Sequence, residues 1–128
     1  MKKLLAILLF LPSIVFAWEQ RPNFPVEACQ VHSPYGFAQT QKQAVALCRE
    51  GYLVAYDQSA KIPVYVAYTL QPQNALGCFP RTNAFTVDQN VQNSARPDDY
   101  AGTGYDKGHA APDGDLSWSQ QVEYESFL

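Results

Sequence analysis

Charged side chains are scarce in this sequence of 128 residues, and basic ones are the scarcer kind. Only 16% of the residues are charged, with 9 Lys plus Arg against 12 Asp plus Glu and a formal net charge of −3. Proteins that bind nucleic acid by neutralising many phosphates usually present a basic face. The composition therefore excludes a broad cationic surface, so a polyanion would have to bind through a few local basic groups or a metal ion.

Cysteine is also rare, and its spacing excludes a structural zinc site. The three cysteines, Cys29, Cys48 and Cys78, contain no Cys-x-x-Cys pair, and His32 is the only histidine near them. Zinc sites need several closely spaced Cys or His ligands. At most one intramolecular disulfide can form, and the sequence leaves open which two cysteines form it. The remaining cysteine suggests a partner outside this sequence, for example in a downstream segment.

No hydrophobic run is long enough to cross a membrane comfortably. The longest run starts at Leu4 and is broken by Pro12, whereas the hydrocarbon core of a bilayer is about 30 Å thick. Two lysines precede this run and a Val-Phe-Ala sequence ends at Ala17, which is typical of a cleaved signal peptide over residues 1–17. We therefore expect a secreted or periplasmic protein with no stable membrane association after the signal is removed.

The hydrophobic pattern divides the rest of the chain into two parts. Residues 18–50 are predicted to be an irregular N-terminal segment with a short helix or turn over Thr40–Arg49. Within residues 51–128, two apolar and aromatic runs at 52–56 and 62–70 are separated by turn residues. They predict an antiparallel hairpin, and the apolar character of both faces of the second run predicts a central strand in a covered sheet.

The hairpin is followed by a polar stretch and then by a helix signal. Residues 71–103 are rich in Asn, Gln, Asp and Pro, which predicts a loop long enough to be functional. Ser117 is predicted to cap a short helix, because Gln120 follows it at the spacing of a capping box.

The stretch GYDKGHAAPDGD, residues 104–115, carries the side chains with chemical potential. Asp106, Asp113 and Asp115 are hard oxygen ligands, but they lack the alternating donors and the terminal glutamate of a calcium-binding EF-hand loop. The Pro-Asp-Gly sequence around Asp113 is instead typical of a tight turn. His109 is a candidate general base, since an ordinary imidazole has a pKa of about 6.5 and is largely neutral at neutral pH.

This stretch and its surroundings resemble the DNA/RNA non-specific endonucleases, whose signature is Asp-Arg-Gly-His. The matching segments are DDYAGTGYDKGHAAPDGDLSW at 98–118, RTNAF at 81–85 with Asp88, VYVAYTL at 64–70 and EYESFL at 123–128. The resemblance implies an α+β fold, the antiparallel-sheet ββα-metal nuclease fold, of which residues 51–128 would form the N-terminal part, incomplete at the C-terminus. It also implies hydrolysis of phosphodiester bonds in DNA and RNA without sequence preference.

The resemblance assigns roles by position in the motif. His109 would be the general base that takes a proton from the attacking water, with Mg²⁺ or another divalent cation stabilising the transition state and a 5′-phosphate as product. Lys107 replaces the usual arginine of the signature as a catalytic and phosphate-binding group, and Arg81 matches a second basic position that faces the phosphates. Asp106 is placed among the catalytic residues, where it would orient the strand or the imidazole, and a buried structural carboxylate is an equally open role.

The family's metal-binding asparagine has no counterpart, because the sequence ends before that segment. The metal ligands are therefore unknown, and the spacing of Asp113, Asp115, Glu123 and Glu125 predicts no substitute set. Two hypotheses follow: a secreted metal-dependent endonuclease acting on DNA and RNA, or a catalytically inactive truncated remnant or binding module that keeps the nuclease surface. Either would expose a sheet edge at which a homodimer or a partner chain could pair.

Overall fold

Residues 20–40 and 43–128 are described by the structure, a computed structural model, and the predicted α+β class is confirmed. The predicted signal peptide, residues 1–17, lies outside the described residues. In chain order the elements are a 3-10 helix at Val26–Val31, the strands β1 (Val45–Cys48), β2 (Leu53–Asp57) and β3 (Ile62–Ala67), a second 3-10 helix at Pro97–Tyr100, and the helices α1 (Asp113–Leu116) and α2 (Gln120–Glu125). None of the described helices has the length and apolar character that a membrane span requires.

The three strands form an antiparallel sheet with β2 in the centre. Because successive side chains of a strand point to opposite faces, neighbouring residues of β2 enter two different clusters. Leu53 packs with Cys29 and Cys48 on one face, whereas Val54 packs with the main core on the other. The main core consists of Leu47, Tyr52, Val54, Val91, Ala111, Leu116 and Val122. The side of the sheet that carries the main core therefore supports the C-terminal helices, through Leu116 of α1 and Val122 of α2.

The predicted hairpin is confirmed as β2 and β3, which pair from Leu53 opposite Ala67 to Asp57 opposite Ile62. The prediction that its second strand is central and covered is wrong. Among the described residues β3 pairs only with β2, and Ile62 keeps 48% of its surface exposed. The reason is that β1 pairs with the other side of β2, so β2 is the central strand. Apolar residues on both faces of β3 do not reveal which strand takes the centre. Pairing of a second chain at the β3 edge stays a prediction.

The short helix or turn predicted within Thr40–Arg49 is wrong, because Val45–Cys48 is strand β1. The backbone N–H of Arg49 donates to the carbonyl of Tyr52 at 2.8 Å and closes the turn into β2. Pairing with β2 satisfies the backbone groups on the inner side of β1, whereas so short an isolated helix leaves most of its own backbone groups unpaired. The neighbouring strand therefore decides the conformation.

A disulfide joins Cys29 and Cys48, which answers the pairing question that the sequence leaves open. It ties the 3-10 helix at Val26–Val31 to β1, and Phe24 adds a single antiparallel bridge to Cys48. Cys78 is a free, exposed thiol. The N-terminal segment is therefore linked to the sheet covalently and through its backbone.

The long loop predicted for residues 71–103 is confirmed, apart from the 3-10 helix at Pro97–Tyr100. Two backbone contacts tie it to the C-terminal region: the N–H of Cys78 donates to the Ser117 carbonyl at 2.9 Å, and the N–H of Thr86 donates to the Phe127 carbonyl at 3.2 Å. These contacts hold the loop against residues 109–127, so that side chains distant in sequence meet at one place.

A buried ion pair fixes the middle of the same loop. The guanidinium of Arg49 donates to the carboxylate of Asp88, and both side chains are buried. Asp88 also accepts hydrogen bonds from the backbone and side-chain amides of Asn90. Removing one member of such a pair leaves the other charge buried and uncompensated, so the pair is expected to hold the loop in a single position.

The C-terminal helix starts later than predicted. Helix α2 begins at Gln120 with Ser119 at the N-cap position, whereas Ser117 donates its hydroxyl to the Gly114 carbonyl at 3.1 Å and closes the preceding turn. The predicted Pro-Asp-Gly turn is the start of α1. Helix α2 packs closely on the turn before β2, because a Cβ placed on Gly51 would lie 2.4 Å from Cγ1 of Val122.

Candidate active site

His109 lies on the loop before α1, between two phenylalanine rings. Its ring centroid is 4.8 Å from that of Phe85 and 4.5 Å from that of Phe127, and the two phenylalanine centroids are 4.9 Å apart. The Nε2 atom of His109 is buried and has no hydrogen-bond partner among the described residues. An unpartnered buried ring nitrogen is unusual in a folded protein, so the described residues hold this imidazole through its ring contacts and not through a hydrogen bond at Nε2.

The surroundings of His109 favour its neutral form. Burial lowers the pKa of the imidazole below its ordinary value, the positive charge of Arg81 lowers it further, and the negative charge of Asp113 raises it in part. The net effect is a lowered pKa, which is what desolvation and a nearby cation do to a base. At neutral pH the ring is therefore free to accept a proton.

Arg81 is held beside His109 by three contacts. Its Nε donates to Oδ1 of Asn83 at 2.6 Å, and its Nη1 donates to Oδ2 of Asp113 at 3.2 Å. Its guanidinium carbon lies 5.0 Å from the centroid of the Phe127 ring, the ring that also contacts His109. The side chain is 45% exposed. The guanidinium is thus oriented by the protein and still open to an anionic ligand.

Lys107 completes a group of three basic side chains. Its Nζ lies 5.7 Å from the centroid of Phe85, the other ring that contacts His109. Phe85 and Phe127 thus form a shared apolar floor. His109 contacts both rings, Lys107 lies over Phe85 and Arg81 lies over Phe127. The quoted family-like segments contain both phenylalanines, but nothing in the sequence alone marked them as site residues.

Asp106 is not brought into this group. The residue is exposed, and no hydrogen bond or ion pair joins its carboxylate to another residue in the part of the chain that the structure describes. Its exposure does not fit a buried structural carboxylate. The absence of a contact with the imidazole gives no support to an orienting role either, so any role for Asp106 stays a prediction.

A carboxyl pair lies behind Arg81 that sequence reasoning had not placed in the site. Glu123 on α2 is completely buried, and its Oε1 accepts from the backbone N–H of Thr82 at 2.7 Å and from the Thr82 hydroxyl at 3.3 Å. Burial raises the pKa of Glu123, and a side-chain hydrogen bond to Asp113 raises it further. Every residue of α2 from Val122 onward is buried, polar and apolar alike. The sequence pattern of this helix therefore did not mark Glu123 as a buried side chain.

An open cavity of about 270 Å³ adjoins these residues. Tyr56, Phe85, Tyr100 and Phe127 contribute aromatic walls, and Lys107 lies on its lining beside His109. Aromatic and basic groups together are the lining that nucleic-acid chains favour, because bases stack on rings and phosphates bind cations.

Comparison with known proteins identifies the family of this chain. The model of the DNA/RNA non-specific endonuclease family matches residues 30–128. The chain belongs to this family. The predicted resemblance is therefore confirmed, and the basic group around His109 lies inside the matched region of the endonuclease family.

Individual nucleases of the family match shorter stretches. "Nuclease 1, mitochondrial" of Schizosaccharomyces pombe is 33% identical over 81 residues, which cover 60% of this chain and 25% of that protein. "Nuclease EXOG, mitochondrial" of Homo sapiens is 30% identical over 96 residues, 73% of this chain and 26% of that protein. "Endonuclease G, mitochondrial" of Homo sapiens is 32% identical over 82 residues, 62% and 28% respectively. The matched region thus spans about a quarter of each relative.

These relatives correct one expectation. All three are mitochondrial nucleases by name, which contradicts the secreted or periplasmic location expected from residues 1–17. The expectation rested on the local pattern of residues 1–17 alone, and these residues lie outside the described part of the chain.

The described residues of this endonuclease-family chain do not assemble a metal site by themselves. No group of three or more His, Cys, Asp or Glu side chains is placed to hold a metal ion within residues 20–40 and 43–128. Asp115 accepts the Tyr68 hydroxyl at 2.8 Å, and Glu125 is bound by Arg21 at 2.7 and 2.9 Å. Both carboxylates are thus engaged in contacts with Tyr68 and Arg21.

Proposed function

We propose that this chain hydrolyses phosphodiester bonds of DNA and RNA without sequence preference, with His109 as the general base. The observation that carries the proposal is the imidazole with an unpartnered ring nitrogen and a lowered pKa, placed beside two basic side chains. Membership of the endonuclease family supports the reaction class. The acidic composition counts against binding through a broad cationic face, and the local basic groups Arg81 and Lys107 offer phosphate binding without such a face.

In this proposal the basic side chains bind the substrate and His109 moves a proton. Arg81 and Lys107 bind the phosphate oxygens, and the guanidinium of Arg81 offers the two-pronged hydrogen bonding that suits phosphate, whereas Lys107 acts as a point charge. A ring nitrogen of His109 takes the proton of a water molecule as the water oxygen attacks phosphorus. The P–O3′ bond then breaks, the 3′ oxygen takes a proton from solvent to become a 3′-hydroxyl, and the other fragment keeps the 5′-phosphate. The phenylalanine floor keeps the imidazole partly desolvated and therefore neutral.

The test is digestion of plasmid DNA and of RNA by the purified full chain, with Mg²⁺ and with a chelator. His109→Gln removes the base and keeps a polar side chain of similar size, and we expect cleavage to fall by about a hundredfold or more. His32→Gln is the matched control, because His32 bonds to the Glu50 carbonyl away from the site and its loss should leave cleavage unchanged. Full cleavage by folded His109→Gln would refute the proposed base. The chelator arm tests the magnesium requirement separately.

A second candidate function is a binding module that binds nucleic acid without cutting it. Arg81 and Lys107, each placed over a phenylalanine ring, suit phosphate binding with or without hydrolysis. This candidate predicts no cleavage with any divalent metal ion, together with salt-sensitive binding of a labelled oligonucleotide that Arg81→Ala and Lys107→Ala weaken. Fluorescence polarisation on the digestion samples separates the two functions: binding without cleavage supports the module, and cleavage excludes it.

A further inference from the structure

Asp113 and Glu123 bring two carboxyl groups together in the protein interior. Oδ1 of Asp113 and Oε2 of Glu123 are both buried, and neither has a hydrogen-bond partner among the described residues if both groups are ionised. Consecutive residues bind the two groups: Arg81 donates to Oδ2 of Asp113 at 3.2 Å and the backbone N–H of Thr82 donates to Oε1 of Glu123 at 2.7 Å. The two carboxyl groups are therefore neighbours and interact through their side chains. Two adjacent buried carboxylates repel each other strongly, and leaving two buried oxygens unpaired adds a desolvation cost.

We propose that Glu123 carries a proton on Oε2 and donates it to Oδ1 of Asp113, and that this acid–carboxylate pair positions the Arg81 guanidinium beside His109. One proton shared over two carboxyl groups gives every oxygen a partner. Oε1 of Glu123 accepts from Thr82, and Oδ2 of Asp113 accepts from Arg81. Asp113 and Glu123 are thus positioning residues, since neither faces the reacting phosphate.

The proton belongs on Glu123 because of the charges that surround each group. Asp113 faces the cation of Arg81 and also acts on His109, so its negative charge is compensated. Glu123 faces Asp113 and the donors of Thr82, with no ion-paired cation among the described residues. A completely buried carboxyl group without a cation is more stable in its neutral form.

Glu125, two residues further along α2, provides the contrast. It is equally buried but is bound by the guanidinium of Arg21 at 2.7 and 2.9 Å. One helix therefore carries a buried glutamate that faces a neighbouring carboxyl group and a buried glutamate that is ion-paired with a cation. Glutamine is a good mimic of the first, because its amide can donate to Asp113 and its oxygen can accept from Thr82, but a poor mimic of the second.

The first test measures the proton directly and does not depend on nuclease activity. In protein labelled with ¹³C at the glutamate carboxyl carbons, the Glu123 signal, assigned by its loss in Glu123→Gln, should titrate above the ordinary range of a glutamate. A Glu123 signal that titrates at the ordinary value would overturn the proposal. The Glu125 signal, assigned through Glu125→Gln, serves as the internal comparison.

The second test follows unfolding of the full chain as a function of pH. A carboxyl group whose folded pKa lies above its unfolded value binds its proton more tightly in the native state, so stability falls as pH rises from the unfolded value through the folded one. Wild type should therefore lose stability relative to Glu123→Gln across that window. Glu125→Gln should instead be less stable than wild type at pH 8. Parallel curves for wild type and Glu123→Gln would overturn the proposal.

The third test concerns positioning. Asp113→Asn removes the negative charge that Arg81 and His109 both feel, so the imidazole pKa should fall in an NMR titration, whereas Glu123→Gln should leave it unchanged. If the chain cleaves nucleic acid, Asp113→Asn should raise KM by about tenfold, the scale of one charge-assisted hydrogen bond, with a smaller change in kcat. This last readout rests on the proposed function, but the NMR titrations stand without it. An unaltered His109 titration in Asp113→Asn would overturn the positioning role.

Discussion

Gly51→Ala should destabilise the protein by pushing α2 away from the sheet. The added Cβ would lie 2.4 Å from Cγ1 of Val122 and 3.1 Å from Cδ2 of Leu116. Both neighbours are buried, at 0% and 1% exposure, so neither side chain can turn into solvent. Because α2 carries Glu123 and leads into Phe127, a shift of this helix would also disturb the floor beneath His109.

The expected loss of stability combines two opposing terms. Forcing an extra carbon into a packed core costs about 1–3 kcal/mol. Replacing glycine by alanine also reduces the entropy of the unfolded chain, which favours folding by about 0.4–1 kcal/mol. We therefore expect a net loss of about 1–2 kcal/mol, or a fall in Tm of about 4–9 °C for a domain of this size.

Urea unfolding of four variants tests this steric mechanism. Gly114→Ala is the matched control, because nothing lies within 4 Å of a Cβ at that position, and it should be neutral or slightly stabilising. Val122→Ala removes the clashing methyl group, so in that background Gly51→Ala should cost less than about 0.5 kcal/mol. An equal cost in both backgrounds would show that the two sites are not coupled and would refute the reasoning.

Three further predictions concern the candidate active site and the Cys29–Cys48 disulfide. Burial and a nearby cation lower the pKa of His109. Cleavage should therefore stay level as pH falls from 8 to about 6.5, the ordinary histidine value, and decline only below it. A decline that begins above pH 7 would contradict the assignment of His109 as the base. Phe127→Leu removes the ring 4.5 Å from the imidazole and should raise the pKa of His109 in an NMR titration, whereas an unchanged pKa would rule out burial as the cause. Replacing Cys29 and Cys48 together by Ala should lower the free energy of unfolding in urea by about 3 kcal/mol, because the disulfide joins residues 19 apart. The control Cys78→Ser should have no such effect. Equal losses of stability in the two variants would argue against the disulfide.

Local patterns in the sequence predicted several parts of the molecule correctly. The hairpin of β2 and β3 follows from two β-prone runs around a turn, and the loop at residues 71–103 follows from its polar composition. The family could be recognised because the residues around His109 and Arg81 keep their order along the chain. Each of these features depends on neighbours that are close in sequence or on an ordered motif.

Features that depend on partners distant in sequence were predicted less well. Val45–Cys48 is a strand because β2 and the disulfide hold it, and a helical pattern in so short a segment cannot compete with those contacts. Ser117 has the spacing of an N-cap, but its hydroxyl bonds to Gly114 and the helix starts at Gln120. The exposed edge at β3 likewise depends on which strand takes the other side of β2.

The sequence by itself determined the family, the hairpin and the identity of the basic residues His109, Lys107 and Arg81, because these are properties of residue type and order. Only the tertiary structure decided that the three basic groups meet on a floor of two phenylalanines, that Asp106 stays outside, and that Asp113 and Glu123 meet behind Arg81. The physical reason is that burial, charge proximity and unpaired polar atoms arise from packing between segments far apart in the chain. Those packing effects lower the pKa of His109 and raise the pKa of Glu123.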